Sequence, residues 1–304
     1  MITRIRPSAR LRHRLGEGVL VAAGCFDPLS ARLAEMAGFE AIHLSGFGTE
    51  ISQLAAPDLG LITLSELAAH AARMSAAVSI PILADIDTGF GGVLNVHRTI
   101  VEMERAGVAG VHIEDQALPK RCPLLAGRRV VDREDAVARV AAACDARADP
   151  DFVIVARTDA DVVSYDEVVA RCNLYLETGA DMVMPMVSAL SVDGCAYTDL
   201  QPDQKMGLLA KLCQDVDGPL MGTGSAPPSG YTTADLGDLG YSFLMFAASA
   251  LGAAANAVAD MFADILEYGT DEYYVKAHPG KYNDPNQLME AVNMAAYLEL
   301  EKGR

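Results

Sequence analysis

The feature that most narrows the fold is an alternation. Short apolar runs recur along the chain, each followed by a longer, alanine-rich segment whose apolar positions return at helical spacing. Eight runs stand out, at residues 19–23, 41–45, 82–85, 110–113, 152–156, 182–185, 219–221 and 243–246. The spacing predicts helices between them, at 28–37, 64–77, 94–106, 133–145, 165–177 and 203–214. Parallel strands joined by crossover helices produce this pattern. Eight such units predict an α/β chain closed into a (β/α)8 TIM barrel rather than an open sheet. A length of 304 residues fits one domain over 1–304. Further helical stretches at 253–268, 273–281 and 286–302 have no strand left to cover. Residues from about 253 to 304 are therefore expected to form a C-terminal extension that packs on a neighbouring subunit.

Charge and composition exclude some partners. A formal net charge of −17 argues against nucleic acid, whose binding depends on Lys and Arg neutralising phosphates. The longest unbroken apolar stretches, such as 19–24 and 153–156, fall far short of the roughly 20 residues that cross a bilayer, so no membrane is expected. The basic segment 1–14 is followed by no apolar export core. Six cysteines without CxxC spacing suit a reducing compartment better than a disulfide framework. A cytoplasmic location and a small organic acid as partner are the expectations.

In a barrel of this type the reactive groups sit where strands end. The second run ends in Ser45-Gly46-Phe47-Gly48, the third in Asp85-Ile86-Asp87-Thr88-Gly89-Phe90-Gly91, the fourth in Glu114-Asp115-Gln116 and the fifth in Arg157-Thr158-Asp159. If the third strand stays regular, Asp85 and Asp87 share a face. With Glu114 they would form a trio of carboxylates that is unfavourable unless a cation sits among them, and Mg²⁺ suits such a set because it keeps water and takes few direct carboxylates. Either aspartate taken singly is more readily a turn or helix cap. Ser45 and Gly46 offer a hydroxyl and a close-approaching amide for a carboxylate, or a plain turn. Arg157 is placed to grip a carboxylate or enolate oxygen, or to form a buried salt bridge with Asp159 or Glu114. Cys122 follows Lys120 and Arg121, two cations expected to lower its thiol pKa and fit it for acid–base work. The other five cysteines read as inert packing. Residues 118–128, with Gly127 as hinge, have the length of a lid.

These residues, in this order, resemble the isocitrate lyase and phosphoenolpyruvate mutase superfamily from about residue 11 to residue 255. The most specific pieces are SGFG from Ser45, PDLG from Pro57, DIDTGFG from Asp85, HIEDQ from His112, PKRC from Pro119 and ARTDA from Ala156. The resemblance implies a (β/α)8 barrel, a homotetramer with an exchanged C-terminal helix, and Mg²⁺ (Mn²⁺ as substitute) held by Asp85, with Asp58, Asp87 and Glu114 acting mostly through water. It implies substrate contacts from Ser45, Gly46, Phe47, Asp85 and Arg157, and catalysis by Cys122, Arg157 and Glu114. In the lyase branch, which includes methylisocitrate lyase and dimethylmalate lyase, the lid cysteine protonates the departing enolate. The implied reaction is cleavage of a 2-hydroxy di- or tricarboxylic acid, 2-methylisocitrate-like or alkylmalate-like, to a 2-oxo acid and a second carboxylic acid. Similarity to carboxyphosphonoenolpyruvate mutase keeps open phosphonate chemistry, and decarboxylation or hydrolysis of an oxaloacetate-like 2-oxo acid, or a non-catalytic metabolite-binding barrel, are the other readings.

The sequence departs from the lyase pattern at four places. Pro123-Leu124 replaces a Gly-His pair in the lid, Met186 replaces a Glu after the sixth strand, Gly222 stands for an Asn, and Gly252 for an Arg. Together these changes predict a retained metal half of the pocket and a less polar half around Met186, Gly222, Ser225 and Tyr231.

Overall fold

In the computed structural model, which describes residues 6–222 and 227–303, all eight apolar runs are parallel strands of a closed barrel. They are β1 (Leu20–Cys25), β2 (Ile42–Leu44), β3 (Ile82–Asp85), β4 (Gly110–Glu114), β5 (Val153–Thr158), β6 (Met182–Pro185), β7 (Leu220–Gly222) and β8 (Tyr241–Phe246), each beside its sequence neighbour, with β8 closing on β1. Boundaries differ from the sequence reading by a residue or two, and two of these shifts matter: β4 runs to Glu114 and β5 to Thr158, so Glu114 and Arg157 stand in register as strand residues.

An N-terminal helix, α1 (Pro7–Leu15), precedes the barrel. The strands are followed in turn by α2 (Pro28–Met36), α3 (Gly46–Leu54) with α4 (Leu64–Ala77), α5 (Val93–Arg105), α6 (Arg133–Ala146), α7 (Tyr165–Thr178), α8 (Pro202–Asp215), α9 (Thr233–Leu239) and α10 (Ser249–Tyr268). Local chemistry marks their ends. Asp27 and Ser30 cap α2 reciprocally, and Thr63 and Glu66 do the same for α4, which supplies partners for amides that a helix start leaves free. Gly179 ends α7 at φ 111°, in the left-handed region that a Cβ disfavours.

Two layers of core follow from strand alternation. Outward-facing Ile42, Leu44, Ile82, Val111 and Ile154 pack against helix residues such as Leu67, Val96 and Ile100. Inward-facing Leu20, Leu83, Val153, Val155, Met182, Met221 and Phe243, each at most 2% exposed, fill the barrel, and Leu11 of α1 packs against them. Full burial of such a side chain contributes about 1.5–3 kcal/mol, so this filled interior holds the fold while the strand ends are left for polar chemistry.

The C-terminal region departs from the sequence reading. The stretch at 286–302 is two helices, α12 (Pro285–Ala291) and α13 (Met294–Lys302), parted by Asn293 at φ 64°, and the stretch at 273–281 contributes α11 (Glu272–Ala277) with a separate 3₁₀ turn at Lys281–Asn283. Arg32 on α2 donates to the Ala291 carbonyl at 3.1 Å and to Asn293 Oδ1 at 3.0 Å, which ties α12 back to the barrel. Helix α10 buries no residue and exposes Val258, Phe262 and Leu266. By length and composition it is apolar enough to cross a membrane, although Asn256, Asp260 and Asp264 divide it into short apolar runs.

Candidate active site

The carboxyl ends of β2 to β5 bring a polar cluster to the barrel mouth. Inward positions two apart on each strand supply it: His43 and Ser45 at β2, Asp85 at β3, His112 and Glu114 at β4, Arg157 at β5. The inward residues of β6 to β8 are Met182, Met184, Met221, Phe243 and Met245, and with Met186 just past β6 they are all buried in one apolar cluster. The mouth is therefore divided, charged on one side and methionine-rich on the other.

Asp85 is the last residue of β3, and regular strand geometry stops there. Asp87 adopts φ 48° and donates its amide to Asp85 Oδ1 at 3.0 Å. The face-sharing argument for the two aspartates thus fails: a left-handed turn, not alternation, returns Asp87 to the mouth, and Asp85 caps that turn. Glycines make the turn possible. At Gly89, with φ 82°, a Cβ would lie 2.6 Å from a Val96 methyl. Gly46 is required for a different reason, since a Cβ there would stand 2.7 Å from Asp85 Oδ2. Ser45 caps α3 by accepting the Gly48 amide at 3.1 Å, which engages its hydroxyl and leaves the first-turn amides of Gly46 and half-buried Phe47 without intrahelical partners.

The cation between Asp58 and Asp87 is Lys120. Its ammonium lies against Asp58 Oδ1 and 2.6 Å from Asp87 Oδ1, with all three side chains buried. Burial would lower its pKa, but Asp87 and Glu114 raise it further, so Lys120 stays charged. Burial and the neighbouring Asp85 push Asp87 up to about 7 despite Lys120. Burial also raises Glu114, against the pull of Arg157, while the fields of His112, Lys120 and Arg157 overcome burial to hold Asp85 low. Arg157 makes both of the salt bridges weighed from sequence: Nη1 lies 3.0 Å from Glu114 Oε2, and Nε and Nη2 donate to Asp159 at 2.8 and 2.9 Å.

Cys122 corrects the sequence reading. Burial raises its thiol pKa, and so does the adjacent Asp58. Lys120 turns into the carboxylates and Arg121 faces solvent, so the two cations do not gather at the sulfur. The thiol keeps its proton. The loop that carries it is seated in the mouth: Lys120 and Cys122 are buried, the Cys122 amide donates to the Asp58 carbonyl at 3.2 Å, and Leu124 at the tip is 84% exposed.

Sequence reasoning did not single out His43, and it named His112 only within a motif and Asp159 only as a salt-bridge partner of Arg157. His43 and His112 stack with their Nε2 atoms 2.8 Å apart, and His112 Nδ1 lies 3.7 Å from Asp85 Oδ1. Burial lowers the pKa of both, with His43 pushed down to about 3. The two-residue period that points Ser45 and Glu114 inward would have flagged both. On the apolar side, Met186 faces the mouth as expected, but two other positions do not. A Cβ at Gly222 would meet Leu244 at 2.4 Å in the outer, helix-facing layer, and Tyr231 donates to Asp203 at 2.8 Å on α8. The remaining candidate there, Ser225, lies outside the described residues.

Among the described residues no three His, Cys, Asp or Glu side chains stand ready to hold a metal, because Lys120 separates Asp58 from Asp87 and Arg157 engages Glu114. The expected preformed trio is absent for that reason. The donor set nonetheless fits Mg²⁺: all candidates are hard oxygens, Glu114 Oε1 is buried without a hydrogen-bond partner, and this ion needs only one or two direct carboxylates with water completing its shell.

Comparison with known proteins agrees with this architecture. The family model described as phosphoenolpyruvate phosphomutase matches residues 10–266. The 2-methylisocitrate lyase of Aeropyrum pernix is 39% identical over 88% of this chain and 82% of its own length. Oxaloacetate acetylhydrolase in complex with 3,3-difluorooxalacetate superposes with a TM-score of 0.85 at 28% identity, over 98% of this chain and 96% of that one. Phosphonopyruvate hydrolase in complex with oxalate and Mg²⁺ gives 0.83 at 29% identity, over 98% and 99% of the two chains. With its barrel, its strand-end motifs and these matches, the chain belongs to the phosphoenolpyruvate mutase/isocitrate lyase superfamily of enzymes.

Proposed function

We propose that the protein is a magnesium-dependent carbon–carbon lyase that cleaves a 2-hydroxy di- or tricarboxylic acid, 2-methylisocitrate-like or alkylmalate-like, to a 2-oxo acid and a second carboxylic acid. The observation that carries this reading is Glu114 paired with Arg157 at the mouth, one carboxylate oxygen buried and unpartnered, beside Asp58, Asp85 and Asp87. Asp85 is the residue to hold the ion directly, with Asp58, Asp87 and Glu114 acting through water. When bound, Mg²⁺ supplies the charge that makes a 2-hydroxyl easier to deprotonate.

The chain's own groups perform the remaining work. The Gly46 and Phe47 amides, at the start of α3, suit the substrate carboxylate next to the hydroxyl. Glu114, whose carboxyl burial raises above the ordinary carboxylate range, is the base that takes the hydroxyl proton. As that proton leaves, a C2 carbonyl forms, the C2–C3 bond breaks and its electron pair passes to the departing fragment as an enolate. Arg157 faces the charge that develops there. Cys122, held protonated by burial and Asp58, returns a proton to carbon. Met186 and Met245 on the opposite side of the mouth favour an alkyl substituent on that fragment.

Incubation of 2-hydroxy diacids and triacids with the protein and Mg²⁺, followed by mass spectrometry, is expected to yield paired 2-oxo and carboxylic acids. Turnover of 2-oxo diacids alone, giving hydrolysis products or CO₂, would overturn the proposal. That second reading is favoured by the two hydrolases among the structural neighbours, although their identity is 28–29% against 39% for the lyase. The assembly belongs to the same proposal: a homotetramer of one-domain chains whose C-terminal helices pack on a neighbouring subunit, supported by the apolar side chains that α10 exposes.

A further inference from the structure

The loop bearing Lys120 and Cys122 rises from a short stem, where Gln116 bridges Val130 and the Ala117 amide donates to the Arg129 carbonyl at 2.8 Å. One side chain beneath the loop touches both the loop and the charged cluster. The Gln116 carboxamide is 1% exposed. Its Oε1 accepts the Arg121 amide at 2.8 Å, and its Nε2 donates to the Arg121 carbonyl at 3.0 Å. It therefore engages the backbone of Arg121, between Lys120 and Cys122, at both its amide and its carbonyl, as a neighbouring strand would. The same Nε2 also donates to Asp159 Oδ1 at 3.2 Å.

Asp159 is fully buried, and its carboxylate is crowded with donors: Gln116, Arg128 Nη1 at 2.6 Å, and Arg157 through both Nε and Nη2. Arg157 in turn reaches Glu114. A continuous chain of polar contacts thus runs from the loop backbone through Gln116 and Asp159 to the two groups that face substrate. When the loop lifts, Gln116 loses both bonds to Arg121, and its buried amide must find new partners at the carboxylate that aims Arg157. An unmade bond at a buried polar group is more consequential than an exposed one.

We infer that Gln116 is a positioning residue: it reads whether the 118–128 loop is seated and, through Asp159, sets the orientation of Arg157. The guanidinium is held in its working geometry only when Lys120 and Cys122 have arrived. This goes beyond the proposed reaction, since it concerns any carboxylate that Arg157 grips.

Two variants and two measurements test it. Gln116→Met keeps the side chain's length and removes its donors and acceptor; Gln116→Glu keeps the acceptor for the Arg121 amide and loses both donated bonds. Limited proteolysis at the exposed Leu124–Leu125 tip, without ligand, is expected to run about tenfold faster in Gln116→Met, the size of two lost amide bonds. Gln116→Glu, whose second oxygen would face the Asp159 carboxylate and the Arg121 carbonyl, should be cleaved at least as fast, and the global melting temperature of Gln116→Met should stay within a few degrees of the parent. Titration with oxalate and Mg²⁺ should show an affinity about tenfold weaker in Gln116→Met, although Gln116 does not reach the mouth. Unchanged loop cleavage with unchanged oxalate affinity overturns the inference. So does a fall in melting temperature that accounts for the faster cleavage. Faster cleavage with undiminished oxalate affinity leaves a latch without transmission and overturns it as well. If oxalate fails to bind the parent, the proposed reaction is in question, while the ligand-free proteolysis still decides whether Gln116 holds the loop.

Discussion

Glu114 and Asp115 are adjacent, both acidic and both buried, yet the barrel wall divides them. Glu114 points into the mouth, meets Arg157 and keeps one oxygen without a partner. Asp115 points out toward α7 and is saturated: it accepts from Thr158 Oγ1 at 2.7 Å, the Asp159 amide at 2.9 Å, Arg171 Nη1 at 3.0 Å and Tyr175 Oη at 2.6 Å. Burial raises both pKa values, so a perturbed carboxyl alone does not mark a functional group. What separates them is satisfaction. A buried carboxylate whose lone pairs are all used fixes neighbouring elements, and one left incomplete is open to an ion, a proton or a substrate.

The largest test of that contrast is Asp115→Ala, which leaves Arg171 and Tyr175 facing a void. It should lower unfolding free energy by about 3–5 kcal/mol, read by urea denaturation; a loss under about 1 kcal/mol would erase the structural half of the comparison. Glu114→Gln should do the reverse, reducing kcat by about 10²–10⁴-fold while leaving the denaturation midpoint nearly unchanged. Unaltered turnover would remove Glu114 from the chemistry. Cys122→Ser is expected to suppress kcat by about 10²-fold or more and to retain Mg²⁺ and oxalate binding by calorimetry, because the thiol gives a proton rather than a grip.

Metal is the next sharpening. With Mg²⁺ at about 100 times its Kd, the folded state should gain about 2.7 kcal/mol, and a chelator should abolish both this gain and turnover. Asp85→Asn should remove the response, whereas Asp115→Asn, at the saturated site, should leave it intact.

The smallest effect lies on the structural side, at Glu167. Arg133 and, after burial's opposing effect, Arg171 hold its carboxyl down to about 2, from an ordinary 4.5. Because the folded pKa is depressed, the stabilisation is present above the unfolded value and disappears as pH falls from about 4.5 toward 2. Glu167→Gln is therefore expected to lose about 1 kcal/mol at pH 7 and nothing near pH 2. A pH-independent difference would mean that packing, not the ion pairs with Arg133 and Arg171, accounts for it.

Much of this was legible along the chain. The period-two and helical patterns located every barrel strand, and the strand ends named Asp85, Glu114 and Arg157, because alternation and burial are properties of neighbouring residues. Applied consistently, the same alternation would also have found His43 and His112. It misled at Asp87, where the chain leaves strand geometry for φ 48°; at Gly222 it was the resemblance that misled, since the missing side chain would face the outer layer.

The sequence by itself determined the barrel, its filled interior and the strand ends that carry charge, since short-range periodicity decides which side chains can leave water together. Only the tertiary structure decided which charges meet. Lys120 reaches Asp58 across 62 residues, and Arg171 and Tyr175 reach Asp115 across 56 and 60. Ion pairing depends on distance and on exclusion of water, and neither exists until the barrel has closed and the loop has settled over its mouth.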